Sequence, residues 1–144
     1  MSPQEQLENG LREMRLALPA AVHEKLLAYV ALLYKWNKTY SLTALKEQDK
    51  AVSHHLLDSL SILPFIPAGR LLDVGSGGGT PGIPLAIARP DVAVTLLDSN
   101  TKKTAFLQQA AIELGLRNIS VHAGRVEQYH PPVGFEAVTS RAFA

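Results

Sequence analysis

The stretch that most constrains this chain is Leu71-Leu72-Asp73-Val74-Gly75-Ser76-Gly77-Gly78-Gly79-Thr80-Pro81-Gly82-Ile83-Pro84. Its apolar start has the character of a buried strand, its glycines permit a tight backbone turn, and Pro84 suits the first turn of a helix, where a missing N–H costs least. A strand, a glycine turn and a helix in succession open a nucleotide site. Gly77, Gly79 and Gly82 spell G-x-G-x-x-G, but they begin three residues past the apolar run, and the register from Gly75 has Thr80 at its last position. The motif alone is therefore weakly specific. A P-loop is excluded, because no Lys-Ser or Lys-Thr follows Gly82 to reach a β- or γ-phosphate.

Two carboxylates narrow the ligand. Asp73, beside the glycine turn, would repel a pyrophosphate but attract an ammonium or a sulfonium, and S-adenosylmethionine carries both cations. Val92-Ala93-Val94-Thr95-Leu96-Leu97 is a second buried strand and ends on Asp98, 23 positions after Gly75. A carboxylate at about that distance sits where it can accept hydrogen bonds from ribose hydroxyls. The plainer reading of Asp98 is a cap for the helix that follows.

Composition removes several classes. The 144 residues suit one domain of ordinary size, and a net charge of +1 supplies no basic tail or stripe from which a nucleic-acid partner could be argued. No cysteine is present, so disulfides, thiolate metal sites and a cysteine nucleophile are absent from this chain, in keeping with a reducing compartment. No apolar run approaches the length of about 18 residues that a membrane span needs, and the N-terminus lacks the apolar core of a signal peptide. The expectation is a soluble, cytoplasmic protein.

Along the chain, Ser2-Pro3-Gln4-Glu5 is a capping box that starts a helix expected to reach about Ala17. A second helix carries Val22, Leu26, Leu27, Val30, Leu33 and Tyr34 on one face and is expected to end before the polar Trp36-Asn37-Lys38-Thr39, with a loop from Tyr40 to Leu45. Lys35, Trp36, Lys38 and Tyr40 could form a stacking and phosphate-contacting patch for RNA, or the aromatics could anchor helix two while the lysines are solvated. A third helix is expected over about Asp49 to Leu63. His54 and Asp58 lie one turn apart on it, but two such ligands do not make a metal site, and none is expected. Helices over Ile83 to Ala88 and Thr101 to Leu114 alternate with strands at Leu71, Val92 to Leu97, Ile119 to Val121 and Phe135 to Thr139. That alternation predicts an α/β fold with a doubly wound parallel sheet whose ligands lie at the carboxyl ends of the strands. Residues 1–66 are then an N-terminal helical segment packed on a Rossmann-like core, residues 67–144. A sheet of four strands leaves an open edge after Ala144, so a fragment with its last strands absent is expected.

With these residues placed, the chain resembles the bacterial 16S ribosomal RNA guanine-N7 methyltransferase G family, once named glucose-inhibited division protein B. The resemblance rests on Lys35-Trp36-Asn37, Leu42-Thr43, His55-Leu56-Leu57-Asp58-Ser59, the glycine loop with Pro81-Gly82-Ile83-Pro84, Leu97-Asp98-Ser99, Arg125-Val126-Glu127 and Ser140-Arg141-Ala142-Phe143-Ala144. It implies a class I, S-adenosylmethionine-dependent fold, S-adenosylhomocysteine as product, and one guanine in the decoding region of the small ribosomal subunit as target. It also implies that backbone at Gly75, Thr80, Val126 and Glu127 contacts the cofactor and that Arg141 lies at the active site. Thr80 and Ser41 depart from the family, which usually has a bulkier apolar residue and an asparagine there. The expected cofactor set is Asp73, Gly75, Gly77, Thr80, Asp98, Val126, Glu127 and Arg141, with Arg141 catalytic; the expected partner is 16S rRNA or the small subunit, and the expected state a monomer.

Methyl transfer to guanine N7 uses a neutral lone pair and needs no general base, so alignment and water exclusion must supply the rate. No Asn-Pro-Pro-Tyr or Asp-Pro-Pro-Tyr follows the fourth strand, as methylation of an adenine amino group would want. Arg141 could hold guanine O6 or a phosphate, or form an ion pair with Asp98 or Glu127. Arg125 could face the RNA or brace the adenine loop. Two other readings stay open here: a class I methyltransferase acting on a small molecule or a protein, and a module that binds cofactor or RNA without turnover.

Overall fold

The computed structural model describes residues 1–131 and 133–140. Four strands, β1 (Gly69–Val74), β2 (Val92–Asp98), β3 (Ile119–Ala123) and β4 (Ala137–Ser140), form one parallel sheet in the order β3-β2-β1-β4. The order reverses direction between β1 and β4, which is the switch point where such sheets open a crevice. Register sets Val74 level with Leu97 on one side and Ser140 on the other, so the carboxyl ends of three strands share one edge.

Side chains alternate between the two faces of the sheet, as strand geometry requires. Leu71, Val94 and Leu96 point into the main core, under α4 (Gly82–Ala88) and α5 (Thr101–Glu113). Leu72, Val74 and Leu97 point the other way and form a small second cluster covered by Tyr129 and Phe135. Arg70 ties that cover down: its guanidinium lies 4.4 Å from the centre of the Phe135 ring and donates to the carbonyls of Val133 and Gly134. Phe135 is thereby held as loop, and β4 begins at Ala137 rather than at Phe135 as its apolar character suggests.

The N-terminal helices build a further layer. The capping box is formed, with Ser2 Oγ accepting from Glu5 N and the Glu5 carboxylate accepting from Ser2 N, and α1 runs over Pro3–Glu13. It stops short of Ala17 because Arg15 takes a left-handed conformation, φ 58°. By contrast α2 (Ala20–Tyr40) runs past Trp36, where the sequence suggested an end. A tertiary contact rewards the extra turn: Trp36 packs edge-on against Phe106 of α5 at 5.6 Å, and Tyr40, one turn on in the same helix, lies tilted 5.3 Å from Trp36. Of the two aromatics in the suspected RNA patch, Trp36 therefore anchors the helix, while Tyr40 is exposed at its end.

The third helical region departs most from a regular α-helix. A 3₁₀ turn (Gln48–Lys50) leads to a π-helical segment (Val52–Leu57) that runs directly into an α-helical turn (Asp58–Leu60); the latter two are α3. Its buried residues recur as adjacent pairs every four positions: Ala51 and Val52, His55 and Leu56, Ser59 and Leu60. That period exceeds 3.6, and a widened helical turn keeps both members of each pair on one face. One apolar cluster runs from Leu7 of α1 through Leu33 and Leu56 to Phe106 and Leu116, so the helical layer and the sheet share a core.

Candidate cofactor site

The glycine turn is assembled by hydrogen bonds from outside itself. Gly75 N and Ser76 N both donate to Leu97 O, at 2.8 and 3.1 Å, which fastens the turn to the end of β2. Gly77 N donates to Asp98 Oδ2 at 2.9 Å, and Asn100 N donates to Asp98 Oδ1 at 2.8 Å. Gly77 has φ +54°, and a Cβ added there would meet nothing closer than Gly75 O at 3.9 Å, so the backbone faces open space. A pocket of about 470 Å³ lies beyond it, lined by Gly75, Gly77, Asp98, Lys103, Val126 and Glu127 among others. Its size falls in the range of small-molecule sites.

Five of the expected cofactor residues thus meet around one pocket: Gly75, Gly77, Asp98, Val126 and Glu127. Asp98 lines the cavity and braces the turn before α5 through Asn100 N, but it is not the cap of that helix. A carboxylate has about four acceptor positions, so the two backbone donors leave capacity for a diol. The cap of α5 is Asn100, whose Oδ1 accepts from Lys102 N and Lys103 N. Val126 and Glu127 sit on a 3₁₀ turn (Val126–Gln128) that rims the pocket, and Val126 offers an exposed apolar side chain. Arg125 and Glu127 approach at 3.9 Å with both side chains solvated, a pair worth little to stability.

Asp73 and Thr80 do not line this pocket. Asp73 is fully buried; its Oδ2 accepts from Gly82 N at 3.2 Å and its Oδ1 from Thr139 Oγ1 at 3.2 Å. The alternation along β1 turns that side chain onto the α4 face, where it joins β1 to the start of α4 and to β4. Gly82 is required beside it, since a Cβ there would come within 2.6 Å of Asp73 Oδ2 and 2.3 Å of Leu96 Cδ2. Thr80 precedes a cis bond to Pro81 at the entry to α4. Arg141 lies outside the described residues.

Other side chains were not legible as site residues. Lys103 reaches the pocket from the first turn of α5, a position marked in sequence only by its closeness to Asp98. Thr139 and Tyr29 hold the floor and the glycine turn, and no local pattern singles them out. His55 is buried, with Nε2 3.4 Å from the Tyr34 hydroxyl and 3.3 Å from Thr43 Oγ1. Burial, then the nearby Glu47 and Asp49 charges, raise the Tyr34 pKa. Among the described residues no three side chains of His, Asp or Glu gather as a metal site.

A parallel sheet of this order, with a glycine turn after its first central strand and an acidic residue closing the second, defines a class I, S-adenosylmethionine-dependent methyltransferase fold. The fold is shared with a solved coclaurine N-methyltransferase bound to N-methylheliamine and SAH, at a TM-score of 0.51 and 13% identity over 96% of this chain and 43% of that one. Residues 22–144 match the family described as GidB, rRNA small subunit methyltransferase G. The ribosomal RNA small subunit methyltransferase G of Methylobacillus flagellatus is 57% identical, covering 98% of this chain and 69% of its own length. The protein of that name from Neisseria meningitidis serogroup C is 58% identical, covering 100% of this chain and 70% of its own. This chain belongs to the rRNA small subunit methyltransferase G family.

Proposed function

We propose that this protein transfers a methyl group from S-adenosylmethionine to the N7 of a guanine in the decoding-region hairpin of 16S rRNA, acting as a monomer in the cytoplasm on the small ribosomal subunit. The observation that carries the cofactor assignment is Asp98: a carboxylate at the end of β2, braced by Gly77 N and Asn100 N, with acceptor capacity facing a pocket of about 470 Å³. That arrangement suits a ribose diol. Val126 supplies an apolar wall for an adenine, Glu127 an acceptor at its edge, and the Gly75 backbone a close approach without a side chain. The family and the names of the relatives support an rRNA substrate. Among the described residues no helix is long and apolar enough to cross a membrane.

When bound, the cofactor supplies an electrophilic methyl on a sulfonium. The tasks left to the protein are to align it with the guanine N7 lone pair, to exclude water, and to leave the base unprotonated at that nitrogen. No proton has to be removed from N7, so no side chain is assigned as a base. Asp73, buried behind the glycine turn, contributes by fixing β1, α4 and β4 to one another. Arg141, which directly follows β4, is proposed to hold guanine O6 or a phosphate with its planar fork.

Labelled methyl transfer from S-adenosylmethionine to unmethylated 16S rRNA, free and in subunits, followed by mapping of the modified base, tests the assignment. Label at a guanine N7 is expected, and Arg141→Ala should abolish it while S-adenosylhomocysteine still binds. Asp98→Asn should weaken S-adenosylhomocysteine about tenfold, because one acceptor oxygen cannot serve two backbone donors and a diol. Label found only on a small molecule or protein, or binding without turnover, would reject the RNA assignment.

A further inference from the structure

The helical layer reaches the glycine turn through one face of α2. Tyr29, Leu33 and Asn37 are spaced four residues apart and so lie along a single stripe. Tyr29 is fully buried, and its hydroxyl donates to Gly78 O at 2.6 Å, across 49 positions of sequence. Leu33 packs directly on Gly78, where an added Cβ would lie 3.1 Å from Leu33 Cδ1 and 3.1 Å from Leu42 O. Asn37 sets that last contact: its Oδ1 accepts from Leu42 N at 2.7 Å and Thr43 N at 2.9 Å, which fixes the backbone carrying Leu42 O.

The peptide between Gly78 and Gly79 is held at both ends. Its carbonyl accepts from Tyr29, and its N–H donates to Ser76 O at 2.7 Å. Glycine stands on each side of that plane and again at Gly77, with Gly77 at φ +54° and Gly79 at φ +105°. Glycine tolerates both signs of φ, so sterics scarcely distinguish this orientation from a flipped one. Hydrogen bonds must make the choice, and one of the two comes from the helical segment. The same turn presents Gly75 and Gly77 to the pocket, with Gly77 N on Asp98.

We propose that Tyr29 and Asn37 are positioning residues for the cofactor: α2 selects the peptide orientation in which the glycine turn can receive it. The proposal rests on the S-adenosylmethionine reading of the site. It makes the helical segment part of the binding site, with cofactor affinity coupled to how α2 docks. Removing the hydroxyl leaves the ring packing in place but releases the carbonyl. Only the fraction of molecules with the native plane then binds, and apparent affinity falls by that fraction.

The test is calorimetric titration of S-adenosylhomocysteine into the full chain and its variants at a temperature where all are folded, with thermal melts in parallel. Tyr29→Phe is expected to raise Kd about five- to tenfold. Asn37→Ala should raise it in the same sense and Asn37→Asp, which keeps the acceptor, should restore it. Leu11→Ala, a core truncation in α1 away from the turn, should lower Tm while leaving Kd at the wild-type value. An unchanged Kd in Tyr29→Phe and Asn37→Ala, or an equal weakening in Leu11→Ala, overturns the proposal, since either assigns these side chains to stability alone. Should Tyr29→Phe fail to fold, the Asn37 pair decides by itself. A wild type that does not bind S-adenosylhomocysteine overturns the cofactor reading and this inference together, whereas binding with insensitive variants overturns only the inference.

Discussion

At the scale of single residues, position along the strand decided which of two carboxylates meets the pocket: Asp73 is level with Leu96, and Asp98 lies two residues further toward the carboxyl edge on the same face. Asp73 and Asp98 lie on neighbouring strands, yet Asp73 turns beneath α4 and Asp98 closes its strand at the pocket. A buried carboxylate that accepts from a buried backbone N–H is costly to delete, because the donor loses its partner along with water. Asp73→Ala is expected to destabilise the fold by about 3 kcal/mol in urea denaturation. A loss below about 1 kcal/mol would mean that Gly82 N and Thr139 Oγ1 find other partners.

At the scale of elements, caps carry information that periodicity does not. Asn100 ends the turn that begins at Asp98, and Asn100→Ala should cost about 1 kcal/mol while shifting the Lys103 end of the pocket. Equal stability with intact S-adenosylhomocysteine binding would contradict that. The capping box of α1 titrates: hydrogen bonds to the backbone and then the side chain of Ser2 hold Glu5 below its ordinary value of 4.5. A depressed folded pKa gives stability that is fully present above 4.5 and disappears as pH falls through the lower folded value. Glu5→Gln keeps an acceptor but carries no titration, so the midpoint of denaturation should decline less steeply with acid in that variant. Identical acid profiles would remove the carboxylate from the account. A second pair, Arg89 and Asp91, is joined by two hydrogen bonds of 2.9 and 2.8 Å, and the bond to Arg89 is the main reason the Asp91 pKa is lowered.

At the scale of the whole molecule, the helical layer and the sheet behave as one core. Trp36, the single tryptophan, sits at the contact between α2 and α5 against Phe106, so its fluorescence reports whether the helical segment is docked. Unfolding followed by tryptophan emission and by far-ultraviolet circular dichroism should give one midpoint. Two separated midpoints would mean that residues 1–66 melt as an independent unit, and the coupling of α2 to the glycine turn would then be weak.

Much of this arrangement was legible in the residue order. Helix starts at Ser2 and about Thr101, the buried strands Leu71 to Val74 and Val92 to Leu97, the glycine turn and the acid that closes β2 are local patterns, encoded in spacing and backbone preference over a few residues, whereas the cap at Asn100 was not singled out. These patterns were enough to reach the parallel sheet and its carboxyl edge, while the methyltransferase family came from the resemblance carried by motifs such as His55-Leu56-Leu57-Asp58-Ser59 and Arg125-Val126-Glu127. Packing alone decided that α2 continues through Trp36, that α3 widens to keep paired residues buried, that Asp73 braces the floor, and that Tyr29 selects a peptide orientation in the turn. Those outcomes depend on which groups meet across long stretches of chain, and a periodic pattern records which face is apolar without naming the partner it will find.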